Sequence, residues 1–386
     1  MTPAARIAAA ITVLDRVLAG DAAERALTNW ARASRFAGSG DRAAVRDHVF
    51  DALRCKRSFA ALGGAETGRG LMLGMLRAAE RDPATIFTGE GHAPAPLTPD
   101  ETAGGSTPEG LAALDCPDWL APELQRSLGE DFAPVMGALR HRAPVFLRVN
   151  IARTSRAGAI AALAAEGVAA RPHPLVETAL EITENSRKIN SSQPFLQGLV
   201  ELQDAASQAV VAALPLAPGA HVLDYCAGGG GKALALAARG ARVTAHDADP
   251  RRMRDLPARA ARAGAQVALA ASADLAPGHD LVLADAPCSG SGSWRRAPEA
   301  KWRLTPARLA ELTAIQDEIL DACARLVAPG GTLAYATCSL LRTENGDRAA
   351  AFAARTGWRM VQERRLTPLD GGDGFYLACF ARNADR

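Results

Sequence analysis

Two cysteines lie in segments suited to presenting a reactive side chain. Cys288 occurs in Asp285-Ala286-Pro287-Cys288-Ser289-Gly290 and Cys338 in Thr337-Cys338-Ser339. Each follows a short apolar run with the character of a buried strand. A buried thiol is usually an inert small hydrophobe, and that reading suits Cys55, Cys323 and Cys379. At a strand end, with a cation or a helix N-terminus nearby, a thiol supplies a nucleophilic thiolate instead. A third segment, Asp224-Tyr225-Cys226-Ala227-Gly228-Gly229-Gly230-Gly231-Lys232, runs from a strand into a helix. Its glycines let the backbone pass close to a ligand, and the helix start favours negative charge. Lys232 is followed by Ala233 rather than Ser or Thr, which excludes a phosphate-loop nucleotide site.

The next strand ends at His246-Asp247, and an acid roughly 20 residues beyond such a turn commonly holds ribose hydroxyls. Asp249, before Pro250, is the better helix cap. This constellation fits an adenosine-containing cofactor, either NAD or S-adenosylmethionine. Hydride transfer has no need of two cysteines at the same rim. Methylating carbon 5 of a pyrimidine does, because that carbon is not nucleophilic until a thiolate adds to carbon 6. Position alone does not say which cysteine attacks.

Such residues must be held by a sheet, and from about residue 200 short apolar runs alternate with helical stretches. Strands are predicted at 221–225, 242–246, 266–270, 280–285 and 332–337, as in a buried parallel sheet. Thr305 and Pro306 start a helix carrying Leu309, Leu312, Ile315, Ile319 and Leu326, and Pro329-Gly330-Gly331 stops it. Residues 358–363 and 375–381 are expected as a hairpin at the sheet edge. The result is a doubly wound α/β domain whose ligands sit beyond the carboxyl ends of the strands.

Upstream, residues 3–80 read as helices. Thr2-Pro3 starts one bearing Ile7, Ile11, Leu14 and Leu18 on one face, and Asp41 caps another bearing Val45, Val49 and Leu53. Residues 118–195 read as a small mixed domain, with a strand at 145–149 and a helix over 155–166. The domain plan is therefore 1–82 helical, 83–117 a Pro/Gly-rich linker, 118–195 small mixed α/β, and 196–386 cofactor-binding and catalytic.

The 386 residues are 48% hydrophobic and 22% charged, an ordinary globular composition. No window approaches the roughly 18 apolar residues of a membrane span, and residues 1–20 lack the features of a signal peptide. A cytoplasmic protein without membrane contact is expected, and a monomer. Seven scattered cysteines without a Cys-x-x-Cys pair argue against a disulfide framework and a metal site. The net charge of +2 does not announce a nucleic-acid binder, although residues 1–60 hold ten Lys/Arg against six Asp/Glu. Only Lys56, Lys188, Lys232 and Lys301 are lysine in a chain that otherwise uses arginine, which supports a special role for Lys232.

On these motifs the sequence closely resembles the Sun/Nop (RsmB-like) family of RNA 5-methylcytosine methyltransferases over nearly its whole length. The family's cofactor loop, Asp-x-Cys-Ala-Ala-Pro-Gly-Gly-Lys-Thr, is matched at 224–233 except at Gly228, Gly229 and Ala233. Arg148-Val149-Asn150, Gln203 to Gln208, Arg295 to Glu299, Gln316, Glu344-Asn345 and Asp373-Gly374-Phe375 look like further family signatures. The resemblance implies a class I methyltransferase, a Rossmann-like doubly wound, mostly parallel sheet, preceded by a small mixed domain and an N-terminal all-α domain. It implies that Cys338 adds to carbon 6, Asp285 holds the ring, Cys288 assists loss of the carbon 5 proton, and Lys232 lies near the base. For S-adenosylmethionine it implies contacts from Cys226, Ala227, Gly228, Gly229, Gly230, Gly231, Lys232 and Asp285, with Asp247 on the ribose and Asp274 on the adenine side. The partner is RNA, with 16S ribosomal RNA the first expectation. Residues 1–80 resemble an antitermination-factor-like (NusB-like) RNA-binding domain, on Asp41-Arg42-Ala43 and Leu53-Arg54. Glycine in place of the loop proline at 229 costs about 0.4–1 kcal/mol more to order, so weaker cofactor affinity is expected. The rival readings are a non-catalytic RNA-binding factor, which retention of both cysteines disfavours, and a DNA methyltransferase, in which the Pro-Cys thiol attacks. A dehydrogenase is the remaining rival.

Overall fold

The computed structural model describes residues 1–382. The chain forms two compact units. The first comprises Met1–Arg142 and, returning from far along the chain, Trp294–Arg303; the second holds the remaining described residues.

The first unit is helical: α1 Pro3–Leu18, α2 Ala23–Ala33, α3 Ser39–Arg54, α4 Lys56–Gly63 and α5 Gly68–Ala78. Thr2 caps α1 by accepting from the Ala5 amide. Ile7 and Leu14 are buried against Val45, Val49, Leu53 and Leu73, and Ile11 and Leu18 pack on the same core. Asp41 is not the cap of α3. It sits at the third position, where its carboxylate accepts from the Gly38 amide and pairs with Arg6 and the Met1 ammonium.

Residues 83–117 do not form the free linker that their composition predicted. Ile86 and Phe87 are buried in the helical core. Arg69 donates to Glu101 on the short helix Pro99–Ala103 and lies 4.6 Å from the Phe87 ring centroid. The helices Ala121–Leu128 and Phe132–Leu139 also group with this unit. The returning segment is anchored within the same unit: Lys301 donates to the Arg54 carbonyl, Trp302 to the Leu53 carbonyl, and Glu299 accepts from the Ala23 amide.

The second unit opens with a four-stranded sheet of β1 Val145–Val149, β2 Ala169–Pro172, β3 Ala179–Glu184 and β4 Val200–Leu202. All its pairings are antiparallel, in the order β2-β3-β1-β4, which is the ferredoxin-like arrangement. β4 lies past the expected boundary at 195 and closes this sheet. The helix Arg156–Ala165, capped by Ser155, buries Ala159 and Leu163 on the core that also holds Leu147 and Leu180.

The larger sheet holds β5 His221–Asp224, β6 Arg242–Ala245, β7 Val267–Leu269, β8 His279–Asp285, β9 Val327–Thr337, β10 Arg359–Leu366 and β11 Phe375–Ala381. Its order is β10-β11-β9-β8-β5-β6-β7. Strands β5 to β9 pair in parallel, and β11 runs antiparallel to both β9 and β10, so the edge hairpin is present. Alternate residues feed opposite faces. Val222, Leu281, Leu283 and Ala334 pack with Val210 and Leu234 on one face; Leu223, Val282, Leu333 and Tyr335 pack with Phe352 and Phe380 on the other. Both faces are covered, which explains why these strands read as apolar runs rather than alternating ones. The direction of winding reverses between β5 and β8, and a ligand crevice opens at such a switch point beyond the strand ends.

Candidate active site

The glycine-rich turn leaves β5 at this crevice and enters the helix Gly231–Ala238. Gly228 and Gly230 have φ of +52° and +79°, a region that favours glycine. A Cβ on Gly230 would stand 2.1 Å from Leu256 Cδ1, so only glycine fits there. Gly229 carries no such φ, but a Cβ there would lie 2.8 Å from Arg259 Nη1, and that guanidinium donates to the Gly229 carbonyl. Arg259, itself paired with Glu201, thus tethers the loop where the resembling family has a proline. From the smaller sheet, the buried Arg148 on β1 donates to Gln203 and to the Gly231 carbonyl, the latter at 2.6 Å. Burial lowers the Arg148 pKa to about 10, with Arg259 adding to the effect and Glu201 opposing it.

Asp247 is buried at the end of β6. Its carboxylate accepts from the Gly228 and Asp249 amides at 3.0 Å each and pairs with Arg252 at 2.9 Å. Asp249 caps the following turn through the Arg251 amide, as its place before Pro250 predicted. Asp274 ends a short turn after β7 and is exposed. Asp224, at the end of β5, is buried, and neither carboxylate oxygen closes a hydrogen bond of good geometry among the described residues. Burial and then Asp285 push its pKa up to about 7, against Lys232 and the Ala233 amide. A buried carboxylate with no well-formed hydrogen bond among the described residues, beneath a glycine loop, fits a cationic ligand such as the ammonium and sulfonium of S-adenosylmethionine.

Lys232 and Asp285 meet at the switch point, Nζ to Oδ2, at 2.6 Å, with the Phe375 ring centroid 4.9 Å from the ammonium. Burial opposes the Lys232 charge, but Asp285, Asp224 and Cys338 more than offset it, so the pKa lies above the ordinary lysine value. Cys288 and Cys338, at the ends of β8 and β9, bring their sulfurs within 3.5 Å. The hydrogen bond with Cys338, burial, the Cys338 charge and Glu344 together push the Cys288 thiol well above its usual pKa. Cys226 points to a different role: burial, Asp285 and Asp224 hold it as a thiol.

Behind the cysteines lies a polar network whose roles the sequence did not assign. Glu344, fully buried, accepts from the Ser289 amide and from the Ser289 and Ser339 hydroxyls. Thr337 donates to Asn345, whose amide donates to the Ser339 carbonyl. An acid six residues past Cys338 was visible, but its four donors come from three separate segments. Arg252 carried no sequence signal at all. The expected cluster of Lys232, Asp285, Cys288 and Cys338 is brought together, with Gly228 to Gly231 and Asp247 at the same rim.

The family model described as 16S rRNA methyltransferase RsmB/F matches residues 211–380, and the RsmF/B-like ferredoxin-like domain matches residues 116–188. Ribosomal RNA small subunit methyltransferase B of Xylella fastidiosa is 37% identical over 284 residues, covering 68% of this chain and 67% of the relative. The protein of that name from Salmonella arizonae is 34% identical over 280 residues, covering 68% and 65%. The chain thus spans about two thirds of the length of these relatives. The solved structure of PH0851 has the same fold, with a TM-score of 0.78 at 23% identity over 99% of each chain. A methyltransferase homologue from Pyrococcus horikoshii gives 0.63 at 25% identity, covering 71% of this chain and 97% of that one. With its glycine turn, its paired cysteines and these relatives, the chain belongs to the RsmB/F family of S-adenosylmethionine-dependent rRNA methyltransferases.

Proposed function

We propose that this protein methylates carbon 5 of a cytosine in 16S ribosomal RNA through a covalent Cys338 adduct. The observation that supports the reading is the pair of facing thiols, 3.5 Å apart at the rim that also holds the Lys232–Asp285 pair, with Cys288 kept protonated by its hydrogen bond with Cys338, by burial and by Glu344. A thiolate is favoured beside an ammonium and disfavoured beside a carboxylate. On this support we read Cys338 as the nucleophile.

When bound, S-adenosylmethionine supplies an electrophilic methyl group on a sulfonium. Cys338 sulfur bonds to carbon 6, and the displaced C5=C6 pair gathers on carbon 5, which takes the methyl. Asp285, held by Lys232, hydrogen-bonds the N3 and amino edge of the ring as charge shifts onto it. Once Cys338 is bonded to carbon it bears no charge, so the chief influences that keep Cys288 protonated fall away. Cys288 loses its proton to solvent and as thiolate takes the proton from carbon 5. The C–H pair restores the double bond, and Cys338 leaves as thiolate. The loop Cys226 to Gly231 would hold the methionine portion, Asp247 the ribose and Asp274 the adenine side. The base must be flipped out or already single-stranded to reach these groups.

Bisulfite sequencing of 16S rRNA from a deletion strain tests the assignment. One cytosine should become convertible and be protected again on complementation with the wild-type chain. An unchanged methylation pattern would remove 16S rRNA as the substrate.

A further inference from the structure

One buried carboxylate outside the groups that meet cofactor or base joins both cysteine loops. Glu344 lies on the turn Arg342–Glu344 after β9. Its Oε1 accepts from the Ser289 amide at 2.8 Å and from Gln316 Nε2 at 3.1 Å; its Oε2 accepts from Ser289 Oγ and Ser339 Oγ at 2.5 Å each. Gln316 also donates to the Pro287 carbonyl at 2.9 Å. Both neighbours of Cys288 and one neighbour of Cys338 are thereby tied to a single group. The Gly292 amide donates to the Cys338 carbonyl, and Ser291 Oγ accepts from the Leu340 amide, so the two loops are stitched together on either side of that group.

We propose that Glu344 is a positioning residue for methyl transfer, which fixes the two thiols at reacting distance and divides their tasks between attack and proton removal. The inference rests on the reading of Cys338 as nucleophile. Geometry and charge make separable contributions. A glutamine at 344 keeps a carbonyl oxygen for Ser289 N–H and Gln316, and turns an NH2 toward two hydroxyls that are able to accept. It preserves the fastening and removes the charge. The groups facing Cys288 are Tyr335 from β9, Cys338 just past its end and Glu344 from the turn, while Lys232, paired with Asp285, acts on Cys338. With the carboxylate gone, Cys288 ionises at lower pH.

The test uses full-length wild type, Glu344→Gln and Glu344→Ala with 16S rRNA transcript and S-adenosylmethionine. Methyl incorporation, thermal melting, and the pH dependence of RNA release from the denaturation-resistant adduct are followed. Glu344→Gln should fold and form adduct, with the midpoint of release shifted to lower pH. Glu344→Ala should lose methylation by about a hundredfold, the scale of a misplacement near 1 Å. A Glu344→Gln release profile identical to wild type, while Cys288→Ala still traps adduct, overturns the role of Glu344 alone. Methylation by Cys288→Ala with no trapped adduct overturns the underlying reading of Cys338. Ser339→Ala removes a buried hydroxyl that donates to Glu344 and accepts from the Leu341 amide; it should slow adduct formation, and an unaltered rate there counts against the clamp even where Glu344→Ala fails to fold.

Discussion

The sulfurs of Cys288 and Cys338 stand 3.5 Å apart, with a carboxylate acting on one and an ammonium on the other. That asymmetry makes their variants distinguishable. Cys338→Ala should neither methylate nor leave a trapped complex. Cys288→Ala should attack and transfer methyl but release slowly, accumulating as a protein–RNA band on denaturing gels. The reverse pattern would assign attack to Cys288, as in the DNA-enzyme reading, and equal activity in both would end the covalent mechanism.

Asp247 is engaged by Gly228 and Arg252. Removing its carboxylate in Asp247→Ala should weaken S-adenosylmethionine binding by about 1.5–3 kcal/mol, the range of a charge-assisted hydrogen bond. Arg252→Ala removes a half-exposed partner and should change affinity far less. Calorimetry on both variants checks the contrast; equal losses would mean that Asp247 acts through Arg252 rather than on the ribose.

The raised pKa of Asp224 has a consequence for the protein without cofactor. The folded state holds this proton more tightly than the unfolded state, so its contribution to stability is full below pH about 4. That contribution is lost as pH rises to about 7. The loss amounts to roughly 4 kcal/mol if the full shift is expressed. Asp224→Asn should flatten this part of the stability curve, raise the melting temperature of the free protein near pH 8, and weaken cofactor binding. A melting curve that keeps the wild-type pH slope would assign the slope to other groups.

The surplus of basic residues over 1–60, ten against six, motivates the prediction that this region adds RNA affinity. Arg32 and Arg35 are exposed. If both meet phosphates, Arg32→Ala with Arg35→Ala should weaken RNA binding and make the plot of log affinity against log salt shallower by about 0.7–0.9 per contact. An unchanged slope would make this face structural. Asp41 and Arg54, which carried the likeness to an RNA-binding domain, are structural already: Asp41 holds the N-terminal ammonium, and Arg54 is buried on the Arg295 carbonyl.

The large sheet was legible because strands buried on both faces are apolar without interruption, and the strands fall where those runs lie. The reacting side chains were legible because they occupy strand ends. β9 begins earlier than expected: Val327 already pairs with His279, and the Pro329-Gly330-Gly331 run that signals a stop is carried inside the strand. Ile86 and Phe87 were missed because two apolar residues among prolines say nothing local about a core contributed by residues tens of positions away. Arg252, and the role of Glu344, were missed for the same reason, since a partner set drawn from several segments leaves no spacing to read.

Because Trp294–Arg303 folds with the helices, the chain passes between the two units three times, at 142–143, 293–294 and 303–304. The helical unit is thus built from two stretches of chain far apart in sequence. Trimming the N-terminus would strip Leu53 and Arg54 from Trp302 and Lys301, and leave exposed an amine whose pKa burial has drawn down to about 8. A minimal catalytic fragment cannot be cut from this protein at one point; it requires a second edit that replaces 294–303 with a short surface loop. The same division means that a recombination event exchanging only the N-terminal segment would leave that segment paired with a 294–303 stretch from the other parent.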